Sequence, residues 1–430
     1  MAHLNVIEFG ADPTAATLST AALQQAIDQA SPGDTVAIPA GRFLTGSLFL
    51  KSDITLWLSE GAVLLGSQQL ADYQQIQTRV AGIDMTWPAG IININACQRV
   101  KIAGPGVLDG QGSGWWRRFW GEDEKGGMLA DYSARDLRWV VDYDCQRPRN
   151  LVVYQSEDIE LRDFTSRESG FWNIHLCYSR AILLTHVVVS NSAGPSTDGI
   201  DIDSCQQVTV EHCTVSCNDD NICVKSGRGL QAQQQAKTAK EITIRHCELR
   251  KGSGITLGSE TSGGIERVTV EHNHFFGTGV GFRIKSARNR GGWIKNIVVR
   301  HLTMTDVRFA FLMQLNWFPQ YSYATDAGSA DFPPHWQALT QGVEGEAGLT
   351  EVTNIAISHI SATLSSADIF SRAFFIEGCE ERPIKDMTFA HIVLQATEFG
   401  KIAGVHQLQL HNVSVDAPAV TREANDEYER

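Results

Sequence analysis

Val208-Thr-Val-Glu-His212 recurs as Ile242-Thr-Ile-Arg-His246, Val268-Thr-Val-Glu-His272 and Ile297-Val-Val-Arg-His301, and is preceded by Ile159-Glu-Leu-Arg-Asp163 and Ile182-Leu-Leu-Thr-His186. Ile355-Ala-Ile-Ser-His359, Met387-Thr-Phe-Ala-His391 and Leu408-Gln-Leu-His-Asn412 carry the unit towards the C-terminus. Apolar and polar residues alternate, the period of a strand with one buried face, and each unit ends at a polar corner. From Ile159 to Ile297 successive copies lie 23, 26, 34, 26 and 29 residues apart. A repeat of variable length reads as a solenoid with the extra residues in loops. Alternating strands without hairpin turns predict an all-β chain, a right-handed parallel β-helix whose inward Ile and Val stack at the inter-strand spacing of roughly 4.8 Å.

Seven of the thirteen histidines, His186, His212, His246, His272, His301, His359 and His391, fill the fifth position of the unit. One histidine per coil in a line does not converge on an ion. The expectation is a polar ladder along one corner, with Asp163 and Asn412 as equivalent rungs.

The repeat covers most of the chain, which argues for a single domain over residues 1–430, with an N-terminal segment 1–34, coils over 35–415 and a polar, frayed tail 416–430. Leu23, Ala26, Ile27 and Ala30 have helical spacing, Ser19 or Thr20 can cap the start, and Ser31-Pro32-Gly33 ends it. This short helix is placed to plug the open end of the solenoid. Thr35–Pro39, Gly46–Leu50 and Ile54–Leu58 read as the first strands. Residues 68–98, 111–148 and about 314–350 break the rhythm, and insertions in a solenoid gather on the face that binds. In the second, Trp115, Trp116, Phe119, Trp120, Trp139 and the Arg147-Pro148-Arg149 triplet read mostly as packing of the loop onto the coils. The third holds Trp317, a candidate substrate-binding aromatic.

The composition, 43% hydrophobic and 20% charged, suits a continuous core, and no apolar run is long enough to span a membrane. A net charge of −13 argues against nucleic acid or an anionic membrane as partner, yet leaves room for a polyanionic sugar held by a local basic cluster. Nine cysteines, among them Cys205, Cys213, Cys217, Cys223 and Cys247 within coils, read as small buried residues rather than a disulfide frame or zinc site. With no basic and apolar leader at the N-terminus, the expected location is the cytoplasm.

Asp198 and Asp219 lie 21 residues apart, about one coil, so similar corners of adjacent coils bring Asp198, Asp219 and Asp220 together on the outer surface. Clustered carboxylates can supply a protonated acid and a base, because crowded like charges raise the pKa of one of them. For cleavage with inversion the two groups are expected roughly 6.5–9.5 Å apart. Asp201 and Asp203 continue the strand and read as solvated coil-edge residues. Two coils on, Phe282-Arg283-Ile284-Lys285 points Arg283 and Lys285 to one face, where two cations could bind a substrate carboxylate.

Taken together, Phe9-Gly-Ala-Asp12, Ser196-Thr197-Asp198, Asn218-Asp219-Asp220, Gly258-Ser259-Glu260 and Arg283-Ile284-Lys285 resemble glycoside hydrolase family 28, the polygalacturonases and their pectin-degrading relatives, from about residue 5 to 415. The resemblance implies a pectin-lyase-like β-helix that hydrolyses with inversion and without a metal or other cofactor. It implies Asp219 as general acid, Asp198 and Asp220 as the pair that holds and activates water, and Arg283 with Lys285 as the uronate site. Ser196 and Ser253 stand where the family has Asn and His, so either the substrate differs from plain homogalacturonan or a group such as His175 or Lys225 takes the histidine's role. The candidate substrate-binding set is therefore Arg283, Lys285, Ser253, Glu260, His175, Lys225 and Trp317. The implied activity is exo-acting removal of galacturonate from pectin oligosaccharides. A rhamnogalacturonan hydrolase or rhamnosidase on the same fold, or a non-catalytic carbohydrate-binding β-helix, is the alternative.

Overall fold

A computed structural model describes residues 2–326 and 328–417. Each regular coil carries three strands. In one, Ile200–Asp203 leads to Gln206–Glu211, the chain turns at His212, and Thr214–Cys217 runs on to the next coil. The first strand of every coil joins an eleven-stranded parallel sheet; the second and third join a 22-stranded sheet folded at the histidine corner. The result is the right-handed parallel β-helix expected from the repeat.

The core follows from the alternation. Ile174, Ile200, Ile222, Ile255 and Phe282 form one inward column of in-register partners, and Leu176, Ile202, Val224, Leu257 and Ile284 form a second. All are fully buried, and each such side chain contributes about 1.5–3 kcal/mol on burial. The helix Thr20–Gln29 plugs one end with Leu23, Ala26 and Ile27 packed into the same core. Its start is not capped as expected: Ser19 Oγ accepts from the Asp12 N–H and Thr20 Oγ1 from the Gly46 N–H, so both hydroxyls tie the helix to its surroundings. Coil strands also begin earlier than residue 35, since His3–Asn5 pairs with Thr35–Ile38 and Thr14–Leu18 with Gly41–Thr45. The tail from 418 onward lies outside the described residues.

The seven histidines form a stacked column with ring centroids 4.7–5.2 Å apart. Every rung is left-handed, with φ of 54–57° for the histidines, 70° for Asp163 and 53° for Asn412. Asn, Asp and His tolerate that conformation best among residues with a Cβ, which accounts for the composition of the corner.

The first insertion is shorter than expected. Ile92–Asn95 and Gln98–Ala103 are coil strands, and the excursion is an antiparallel hairpin of Gln75–Val80 with Ile83–Pro88. The second folds into helices at Gly112–Trp120, Gly127–Ala134 and Val141–Asp144, and the third into Pro319–Ser322 and Pro334–Thr340. All three meet over the eleven-stranded sheet in a second apolar cluster that includes Ile83 and Trp87 of the hairpin, Trp139 and Tyr143, Phe171 and Trp172, and Tyr321 and Leu339. Trp115, Phe119 and Trp139 are buried packing residues, and so are Arg147 and Arg149. The nine cysteines are free and buried. Cys223, however, faces outward, its Sγ donating to the Gly258 carbonyl beneath the site rather than packing in the core.

Candidate active site

The outward face of the eleven-stranded sheet sets the site. Alternation that sends Ile200, Ile222, Ile255 and Phe282 inward sends His175, Asp201, Cys223, Thr256 and Arg283 outward in one register column, with Asp203 and Lys225 in the next. Small side chains at Cys223 and Thr256 leave a floor between the acids and Arg283. Lys285 continues the second column two coils beyond Lys225, and its carbonyl lies 1.9 Å from where a Cβ on Gly258 would stand, so only glycine fits there.

The acids sit on turns held by buried asparagines. Asn173 Nδ2 donates to the Asp198 carbonyl, and Asn221 Nδ2 donates to the Val215 and Arg250 carbonyls while its Oδ1 accepts from the Gly254 N–H. Asp219 Oδ1 accepts from the Asp220 N–H. Asp198 and Asp220 are buried and Asp219 is half-buried, so the cluster lies outside the helix but under the insertions, not on an open outer surface. Carboxylate oxygens of Asp198, Asp219 and Asp220 fall within 4.8 Å of one another. That is closer than the separation expected for an acid and a base on opposite faces of a bond, and short enough for one water to bridge two of them.

On distance alone these three acids could hold a cation, but lysine and arginine already supply the charge. Lys285 Nζ is 2.7 Å from Asp220 Oδ2, Arg283 is 3.9 Å from Asp220 Oδ1, and Thr256 Oγ1 donates to the same carboxylate at 2.7 Å. Burial would raise the Asp220 pKa, but Lys285 and then Arg283 outweigh it and hold the group below its ordinary value. Burial, then Asp220, raises Asp219. Burial, then Asp219 and Asp201, raises Asp198 well above the ordinary range. Like charges this close do not all ionise, so Asp220 is the fixed carboxylate while Asp198 and Asp219 titrate as a pair.

Asp201 and Asp203 depart from the solvated reading, since both are fully buried. Asp203 pairs with Arg79 of the hairpin at 3.0 Å, whereas neither Asp201 oxygen has a hydrogen-bond partner and burial raises its pKa strongly. Lys225 stands among three acids, 3.2 Å from Glu260, 3.6 Å from Asp201 and 3.9 Å from Asp198, with its ammonium 5.0 Å over Trp172. Burial opposes its charge, but Cys223, Glu260, Asp201 and Asp198 keep it well above the usual lysine range, and Glu260 is in turn held at about 2 against burial by Lys225.

A cavity of about 150 Å³ lies over this floor, lined by Asp198, Asp219, Lys225, Arg283 and Lys285 below and by residues of the insertions above. Glu260 and Trp317 line it as expected, the Trp317 ring 4.4 Å from Lys285. His175 does not. It is fully buried behind Trp172, its Nδ1 is 2.6 Å from Arg149, and burial with Arg149 keeps it neutral, so it cannot stand in for a charged histidine. Ser253 offers its backbone N–H to the Asp219 carbonyl and does not line the cavity.

Sequence reading missed Arg138, Asp142, Phe171, Trp172, Ser196, Ser259, Phe318 and Tyr321 in the lining. Ser196 adjoins the Asp198 motif and could have been found: its hydroxyl donates to Asp142, which pairs with Arg138 at 2.6 Å and ties the acid turn to the second insertion.

The family model described as glycosyl hydrolases family 28 matches residues 31–330. A Vitis vinifera protein named "Probable polygalacturonase" is 34% identical over 327 residues, 73% of this chain and 63% of that protein. The exo-poly-alpha-D-galacturonosidase of Dickeya chrysanthemi is 29% identical over 363 residues, 77% of this chain and 59% of the relative. The chain thus matches about three fifths of the length of these relatives. A hyperthermoactive exopolygalacturonase from Thermotoga maritima superposes with a TM-score of 0.78 at 23% identity, covering 96% of this chain and 93% of that one.

Proposed function

The chain belongs to family 28 of the glycosyl hydrolases, and from that premise we propose that it hydrolyses galacturonic-acid-containing pectin oligosaccharides, removing the terminal uronate with inversion. Asp219 donates the proton to the leaving oxygen. Asp198 and Asp220 hold the water that attacks the anomeric carbon from the other face, and Arg283 with Lys285 takes the sugar carboxylate. The observation that carries the reading is one cavity lined by Asp198 and Asp219 together with Arg283 and Lys285, with the Asp220 carboxylate within 4.8 Å of the other two and paired with Lys285. The activities named for the two relatives above, a polygalacturonase and a galacturonosidase, agree with it. The short oxygen spacing fits a water shared by two carboxylates, but it also approaches the roughly 5–5.5 Å of retaining enzymes. Proton spectra recorded during hydrolysis of oligogalacturonides decide between them. An inverted first-formed galacturonate, with activity surviving chelator, is expected. A retained anomer, released rhamnose, an unsaturated product, or loss of activity that calcium restores would replace this mechanism. Nine unpaired buried thiols suit a reducing compartment, and we place the enzyme in the cytoplasm, acting on imported oligosaccharides.

A further inference from the structure

We propose that Lys225, anchored by Glu260, is the positioning residue that draws Asp198 towards its basic, water-activating form. The proposal rests on the hydrolase reading above. A base in this site faces a strongly negative surround. Asp201 lies on its own strand, Asp219 and Asp220 on the next turn and Glu260 one coil further, while Asp142 reaches the same turn through Ser196. The cations are unevenly shared. Lys285 and Arg283 are spent on Asp220, at 2.7 and 3.9 Å, and Arg138 on Asp142. Arg79 is taken by Asp203 and Asp84, and His175 is neutral. Among the described residues Lys225, 3.9 Å away, is the cation paired with Asp198, and it is the strongest influence drawing that carboxyl towards ionisation. Glu260 fixes the ammonium with a 3.2 Å hydrogen bond, and the Trp172 ring closes the side facing the insertions. Asp201, in contact with the same ammonium, has no hydrogen-bond partner on either oxygen, and burial raises its carboxyl well above the usual range. The family histidine replaced here by Ser253 thus has a counterpart in charge, placed on the base rather than on the acid.

The test compares Lys225→Met with wild type across pH on an oligogalacturonide. An opposite charge within 4–6 Å moves a carboxyl by about 1–3 units, so the acid limb of kcat/KM should rise by about one pH unit or more. Galacturonate inhibition, which depends on Arg283 and Lys285, should change by less than about threefold. Lys225→Arg keeps the charge and should hold the limb near its wild-type position. A fall in kcat with the limb unmoved makes Lys225 structural, and loss of galacturonate binding makes it a substrate ligand; each overturns the proposal. If Lys225→Met fails to fold, the same upward shift is read in Lys225→Gln, and an unmoved limb there overturns the proposal. Carbon-13 carboxyl titration, with Asp198→Asn to assign the signal, reads Asp198 directly without substrate. It therefore separates failure of this inference, an Asp198 titration equal in wild type and Lys225→Met, from failure of the hydrolase reading, no turnover by wild type.

Discussion

At Asp219 the substitution to Asn keeps shape and loses the acidic proton. Its carboxyl is raised by burial and Asp220, so it holds its proton into the pH range where Asp220, held down by Lys285 and Arg283, is ionised. Asp219→Asn is expected to lower kcat by about a hundred- to ten-thousand-fold with unchanged thermal unfolding. A loss of only a few-fold removes Asp219 from the acid role. The sign of the alkaline limb follows from the proposed acid role: activity should fall as pH climbs through the raised pKa of Asp219, and the limb should move down in a variant such as Asp220→Asn, which removes the adjacent charge. Arg283 is the cleaner probe of the proposed uronate site, because at 3.9 Å it does less to hold Asp220 ionised than Lys285 does at 2.7 Å. Losing a charge-assisted contact worth about 1.5–3 kcal/mol, Arg283→Ala should weaken galacturonate inhibition by about ten- to a hundred-fold and hardly affect a neutral glycoside. Equal losses on both would mean a structural role.

At the level of the element, His301 gives the histidine column a pH dependence. His301 has a lowered pKa, first from partial desolvation and then from His272 and His359 stacked on either side. A histidine whose folded pKa lies below its unfolded value takes up protons preferentially in the unfolded chain. Stability is therefore kept above the unfolded pKa, about 6.5, and lost as pH falls through the lower folded one. The melting temperature should drop between about pH 7 and 5, and His301→Asn should drop less, since Asn412 shows that asparagine fits the corner. An identical drop in the variant would place the acid sensitivity elsewhere. This column was legible in the sequence because its period is local, and so were the strands and the plug helix. The acids were legible for the same reason, one coil being nearly the interval from Asp198 to Asp219, and the Arg283–Lys285 pair was legible from the alternation of its own strand two coils on. The walls of the site were not. Tyr143 meets Tyr321 across 178 residues and Arg79 meets Asp203 across 124, contacts that leave no periodic trace in either partner. Asp201 was misread as solvated because alternation tells which side of a strand a residue faces, not whether a loop from elsewhere covers that side.

For the whole molecule, net charge and local charge pull in opposite directions. The chain carries −13, while the floor of the site presents Lys225, Arg283 and Lys285 to a substrate that would itself be polyanionic. Beyond a Debye length, about 10 Å at 0.1 M salt, the approaching chain meets the averaged negative field; within it, the terminal uronate meets the cations. The two ranges separate by substrate length. A digalacturonate brings few charges outside the cavity, so added salt should mainly weaken its contact with Arg283 and lower kcat/KM. A hexagalacturonate carries further carboxylates past the cavity of about 150 Å³ and into the averaged field of a chain with net charge −13, so screening should relieve repulsion and raise kcat/KM relative to the dimer. Measuring both substrates from about 10 to 300 mM sodium chloride, a range over which the Debye length falls from about 30 Å to well under 10 Å, tests this directly. Parallel salt profiles for the two lengths would mean that the extra sugars run over a neutral or basic track outside the cavity, and that the site's own cations are not the only ones guiding substrate.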